Sequence, residues 1–233
     1  MSHLLLEQQA GGLQVFLDAF TWLPFLLQGF GLNLLISAVA MVLGSVFGLG
    51  VARLRMSDRS VLQRGGRVLT ELTRNVPTFV CLYYLAFMLP SEFSVPGIPG
   101  LVSIPGWFKA SVALSIAVTG FCADNLGPAL QSWRSGDHGR ALLFLPSWAA
   151  YALIIVMASS TASVIGVPEL LSRCNTVIGA TGSSAMMLPM YLMACVIFLL
   201  ACWPLIRLMD RIKRRMMDRL RRPGPAALAR ING

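Results

Sequence analysis

Long apolar runs alternate with short polar ones along the chain, and the runs approach the ~20 residues an α-helix needs to cross the hydrocarbon core of a bilayer. Five stand out, from about Leu23 to Val51, Val76 to Leu89, Trp107 to Leu130, Leu142 to Ser160 and Ala185 to Ile206. The first is long for one span and carries Gly29, Gly31, Gly44, Gly48 and Gly50, so part of it is expected to lie in the interface or extend past the bilayer. The second is short, and the segment from Val68 can lengthen it. Pro77, Pro128, Pro146, Pro189 and Pro204 fall near predicted helix ends, where a missing N–H is tolerated. The pattern predicts an all-α, polytopic membrane protein of about five transmembrane helices. Residues 1–22 precede the spans, 23–206 form the transmembrane domain, and 207–233 form a basic tail.

Composition sharpens the solvent but not the task. With 56% hydrophobic and 12% charged residues and a mean hydropathy of +0.70, the chain has too little polar surface to solvate a globular domain, so its partner is the lipid bilayer. The net charge of +9 is gathered beside the spans, with no recognition motif, and reads as topology rather than as a nucleic-acid footprint. Seventeen of the 19 Lys and Arg lie in three stretches: Arg53 to Arg74, Arg134 with Arg140, and Arg207 onward. Alternate loops carry only Lys109 and Arg173. Cationic loops are retained on the cytoplasmic side, which predicts an external N-terminus and an internal C-terminus. The basic tail to Arg222 suits anionic headgroups, and the sequence from Pro223 reads as disordered. No positive n-region precedes the first apolar run, so the first helix is expected to be retained.

Motifs of self-sufficient chemistry are missing from the sequence: no phosphate-binding Gly-rich loop with Lys-Ser/Thr, no His-Glu-x-x-His, no Gly-x-Ser-x-Gly. The chain is therefore expected not to be an enzyme and to need no cofactor or metal, its five cysteines lacking metal-binding spacing. Asp124, followed by Asn125, is the one acid well inside a predicted span. Such a group is costly in lipid unless it faces protein or water. Two readings stand: Asp124 and Asn125 line a substrate pathway, Asp124 suiting a cationic substrate group, or the third helix ends earlier and Asp124 sits in a hydrated vestibule. Ser159, Ser160 and Thr161 likewise either line a solute path or bond back to helix carbonyls. Gly44-x-x-x-Gly48 offers a smooth face for close helix packing.

Two stretches resemble the permease subunits of ABC importers for polar amino acids. Thr70-Glu71-Leu72-Thr73-Arg74-Asn75-Val76-Pro77 is similar to that family's Glu-Leu-x-Arg signature at the start of the second span. Ala162-Ser163-Val164-Ile165-Gly166-Val167-Pro168-Glu169-Leu170-Leu171 resembles its segment after the fourth helix, and Phe121-Cys122-Ala123-Asp124 falls where the family has an aromatic, a variable residue, Ala and an acid. The resemblance runs from about Phe20 to Arg215. It implies a type I importer fold in the bacterial inner membrane and one subunit of a homo- or heterodimeric pore. A periplasmic solute-binding protein would deliver an amino acid, and ABC ATPase subunits would supply the energy.

The chain departs from that pattern in two places. Between the third and fourth spans the family carries a Glu-Ala-Ala-like helix that docks on the ATPase, whereas here Gln131 to Ala141 is all that remains, with Gly136, Asp137 and His138 as the remnant of the loop's start. An isolated helix needs ~12 to 15 residues to be even marginal. Met157-Ala158 also replaces a charged pair. Two readings follow: a working half of a heterodimeric permease whose partner carries the docking helix, or a degenerate permease kept as a structural or regulatory subunit.

Overall fold

The computed structural model describes residues 14–94 and 101–221. Helix α1 covers residues 14–21, and α2 runs unbroken over Leu23–Arg55. The 33 residues of α2 make about 50 Å at 1.5 Å per residue, longer than the hydrocarbon core. Its glycines interrupt nothing. Next come α3 (Ser60–Asn75), α4 (Thr78–Met88) and a short antiparallel pair, β1 (Glu92–Ser94) with β2 (Leu101–Ser103), registered Phe93 to Val102. Helix α5 spans Gly106–Arg134, α6 His138–Leu142 and α7 Phe144–Ala158, which continues as a 3-10 segment, Ser159–Ile165. Helix α8 covers Leu170–Thr181, a 3-10 turn Ser184–Met186, and α9 Met187–Arg221.

Among the described residues, four helical stretches are long and apolar enough to cross a membrane: Leu23–Arg55, Gly106–Arg134, His138–Ile165 and Ser184–Asp218. Thr78–Met88 is a shorter apolar fifth. The expected lengthening of this span from Val68 does not occur. Pro77 disfavours helical backbone at the residue before it, and Val76 is extended at φ −73°, ψ 124°. Helix α3 therefore stops at Asn75 and is a separate amphipathic helix, its apolar residues outward (Val61 79% exposed, Leu72 55%) beside Arg64 and Arg67. That is the composition of a helix at a membrane interface.

Three further boundaries move. Pro128 lies inside α5 and Pro204 inside α9, not at helix ends. The helical spans outrun the apolar windows because arginines and other long side chains extend helices into the headgroup region without ending them. The tail expected to begin at 207 therefore starts inside α9. Among the described residues the short β1–β2 pair is the one strand addition to the expected all-helical fold, and Pro223 onward lies outside the described residues.

The chain divides into two compact units. Residues 1–40, 77–114 and 155–201 form the first, whose core joins Ala19 and Leu26 to Leu170, Cys174 and Val177 of α8 and to Met186, Met190, Met193 and Ala194. Phe30 and Phe198 meet edge to face at 5.4 Å beside it. Both cations of the charge-poor loops are used here. Buried Lys109 donates to the Leu89 (2.7 Å) and Ala86 (3.2 Å) carbonyls, closing the end of short α4, and Arg173 donates to the Phe25 carbonyl (2.9 Å) while lying 4.4 Å over the Phe25 ring.

Residues 41–76, 115–154 and 202–233 form the second unit. Its α2 and α5 segments approach through Gly44 and Gly48. A Cβ on Gly44 would strike Val118 and come within 2.7 Å of the Ser115 carbonyl; one on Gly48 would strike Cys122. Ser45 lies between them and accepts the Trp148 indole N–H at 2.9 Å.

Candidate functional site

In the second unit Asp124 lies mid-helix, and α5 continues to Arg134, which removes the reading that the helix ends before it. Arg55, from the end of α2, donates to Asp124 Oδ1 at 2.7 Å and to the Ala123 carbonyl at 3.1 Å. Arg74, from the last turn of α3, donates to Oδ2. Both oxygens of Asp124 thus carry an arginine, so the charge complementarity expected for a cationic substrate group is met from within the chain. Glycines let the helices close in: a Cβ on Gly66 would come within 2.9 Å of the Arg55 backbone N, and one on Gly120 within 3.0 Å of that of Arg74.

Beside this triad is a cavity of about 250 Å³ lined by Arg74, Ala117, Phe121, Asp124, Asn125 and Tyr151. The Phe121 and Tyr151 rings stack at 4.0 Å and 4°. Tyr151 Oη donates to the Ala117 carbonyl at 3.3 Å, and Asn125 Nδ2 to that of Phe121 at 2.8 Å. A larger cavity, about 590 Å³, is lined by Arg55, Asp58, Gln63, Gln131 and Arg134 among others. The Arg55–Asp124 pair thus contributes one member to the lining of each.

In the first unit Ser159, Ser160 and Thr161 occupy the 3-10 segment after α7, and each donates its hydroxyl to the carbonyl three residues back, at 2.7, 2.8 and 2.7 Å. Their donors are spent on the helix. Their oxygens still accept, and Ser159 Oγ receives Asn33 Nδ2 at 2.9 Å.

Asn33 is a residue that sequence reasoning passed over. It is fully buried on α2, and its Nδ2 also donates to Glu169 Oε2 at 2.9 Å while its Oδ1 accepts the Leu170 N–H at 3.1 Å. Glu169, also fully buried, caps α8 by accepting the Ser172 (2.8 Å) and Leu171 (3.1 Å) N–H groups. Gly29 permits this approach, since a Cβ there would come within 2.8 Å of the Leu170 N. Gly166, at φ +80°, makes the left-handed turn that returns the chain toward α2. The signal for Asn33 was in the sequence: an amide in an apolar run must find partners.

Burial pushes the Glu169 carboxyl above its ordinary range, opposed by the hydrogen bonds from Asn33, Ser172 and Leu171. A raised acid binds its proton more tightly in the folded state, so its contribution to stability falls as pH rises from the ordinary carboxylate range through the raised value. Asn33→Leu removes the amide and leaves Glu169 and the Leu170 N–H short of partners, at a cost of about 1–3 kcal/mol. Thermal unfolding in detergent checks this, and an unchanged midpoint would show the network to be dispensable. Cys174, next to this network, is buried and its thiol is pushed up to about 11, first by burial and then by Glu169, which leaves it inert.

The loop remnant forms a compact turn. Gly136 sits at φ +83°, and Asp137 caps five-residue α6, accepting the Arg140 N–H at 3.1 Å and pairing with its side chain at 3.2 Å. His138 stands 4.5 Å from the Trp133 ring. The turn from α5 into α7 thus runs over residues 135–143. Among the described residues no group of three or more His, Cys, Asp or Glu side chains is placed to hold a metal.

No family model matches the chain. It is 31% identical over 194 residues to the "Probable amino-acid ABC transporter permease protein YckA" of Bacillus subtilis, covering 77% of this chain and 83% of that one. It is 24% identical over 192 residues to the same organism's "Probable glutamine ABC transporter permease protein GlnP", covering 76% and 86%. Among solved structures, the fold matches a crystal structure of an amino acid ABC transporter with histidines at a TM-score of 0.72 and 19% identity, over 86% of this chain and 98% of that one. It also matches the inward-facing MetNI methionine ABC transporter at 0.58 and 17%, over 84% and 97%.

Proposed function

The chain belongs to the permease subunits of amino-acid ABC transporters, and from that premise we propose that it forms one half of the pore of an ATP-driven amino-acid importer. The observation that carries the reading is its 31% identity to an amino-acid permease over most of both chains, joined to apolar helices of membrane-crossing length. A permease moves its substrate by switching access, and any bias must come from differential binding to the two states. In this reading ABC ATPase subunits supply that bias from the cytoplasm, a periplasmic solute-binding protein delivers the amino acid, and a second permease subunit completes the pore. The chain itself catalyses nothing. Loops rich in Arg support an external N-terminus and an internal C-terminus in the inner membrane.

Substrate passes in this proposal by Asp124 and Asn125 in one unit and by the oxygens of Ser160 and Thr161 in the other, Ser159 being fully buried and committed to Asn33. The brevity of 135–143 supports a reading in which ATPase docking falls chiefly to the partner permease, in a heterodimer with unequal contacts. Affinity purification of the tagged chain from its native membrane tests the assembly: an ATPase and a second permease with a full docking helix are expected in the eluate. Recovery of the intact chain without either contradicts it. Asp137→Ala and His138→Ala are expected to change coupled ATPase activity less than twofold, and a loss of tenfold or more would mean that the remnant docks.

A further inference from the structure

The cavity beside the triad has a charge balance that its residue list conceals. Among the described residues Asp124 is the one acid lining it, and both of its oxygens are taken by Arg55 and Arg74, so the three side chains together carry one net positive charge. No free carboxylate remains to hold a cationic group. Arg74 is different: its side chain is 58% exposed, only Nη1 is committed to Asp124, and a guanidinium presents five N–H donors. The lining also includes Phe121 and Tyr151, whose rings stack on each other, and Asn125, whose Nδ2 is committed to the Phe121 carbonyl. An arginine with spare donors and two aromatic side chains lining the same space of about 250 Å³ suits a small carboxylate whose aliphatic part packs against the aromatic carbons. Groups of this kind within a span persist where water or substrate reaches them.

We propose that this cavity is a carboxylate-binding station, held by Arg74, that favours acidic amino acids over neutral ones and disfavours cationic ones. The proposal rests on the import reading above and names the substrate class of the Asp124–Asn125 part of that pathway. Asp124 acts here by orienting Arg74, and Arg55, outside the cavity lining, offsets its charge.

The test measures binding of labelled glutamate, glutamine and lysine to the complex purified from its native membrane, with the solute-binding protein absent, and in parallel ATP-dependent uptake by the same complex reconstituted with its binding protein. Glutamate is expected to bind at least tenfold more tightly than lysine, with glutamine between. Arg74→Gln should weaken glutamate binding at least tenfold and leave lysine unchanged or improved, and Arg74→Lys should restore most of the loss. Lysine binding as tight as glutamate in the unaltered complex overturns the proposal, and that comparison needs no variant to fold. An Arg74→Gln complex of normal assembly that binds glutamate as before also overturns it. In either case intact uptake shows that the import reading survives, whereas absence of ATP-dependent uptake of every amino acid removes that reading and the proposal with it.

Discussion

Replacing Asp124 with Asn is expected to destabilise the chain by about 2 kcal/mol and to reduce uptake by the assembled importer severalfold. Arg55 and Arg74 come from different helices and meet only at this carboxylate. Without it, two like charges face each other beside a membrane-embedded helix. Removing one partner of a fully buried ion pair costs about 3–5 kcal/mol. Here the Arg55 and Asp124 side chains are 31% and 30% exposed, and solvent screens part of the loss, hence the smaller figure. Thermal unfolding in detergent measures it. The double variant Asp124→Asn, Arg74→Gln should recover part of the stability, because one uncompensated cation is gone. If the single variant unfolds at the parent's midpoint, the triad does not hold α2, α3 and α5 together.

A comparable structural effect is expected from Ala at Gly44 or Gly48. The α2 and α5 backbones are so close there that even a methyl group meets Val118 or Cys122. Overpacking of this kind costs about 1–3 kcal/mol per site, and Leu in place of Ala should prevent the unit from assembling. Gly31 and Gly50 supply the internal control, because a Cβ at either meets nothing within 4 Å. Ala at those positions should be neutral or stabilising by up to ~1 kcal/mol through helix propensity. Equal unfolding midpoints for Gly44→Ala and Gly50→Ala would show that the α2–α5 contact is looser than described.

Much of this was legible in the sequence because lipid allows few backbone solutions, so apolar runs of the right length read directly as helices. Gly44 and Gly48 pack closely, as their spacing suggested. The break at Val76 was legible too, since Pro77 dictates it, but the apolar content on both sides masked it as one span. What the sequence could not supply was partnership. Asp124 looked like a lone acid because Arg55 and Arg74 lie far from it along the chain, and Asn33 looked incidental because its partners, Ser159 and Glu169, arrive from beyond residue 150. The roles of Lys109 and Arg173 as closers of backbone carbonyls depended in the same way on chain approaches that no local pattern encodes.

The most direct test of the importer reading is ATP-dependent uptake. The tagged chain, purified from its native membrane with its associated subunits, is reconstituted into liposomes and supplied with its binding protein and labelled amino acids. Accumulation that requires ATP and is lost on omitting this chain is the result predicted here. Uptake that proceeds unchanged without the chain, from the partner permease alone, would contradict the assignment of half the pore to it.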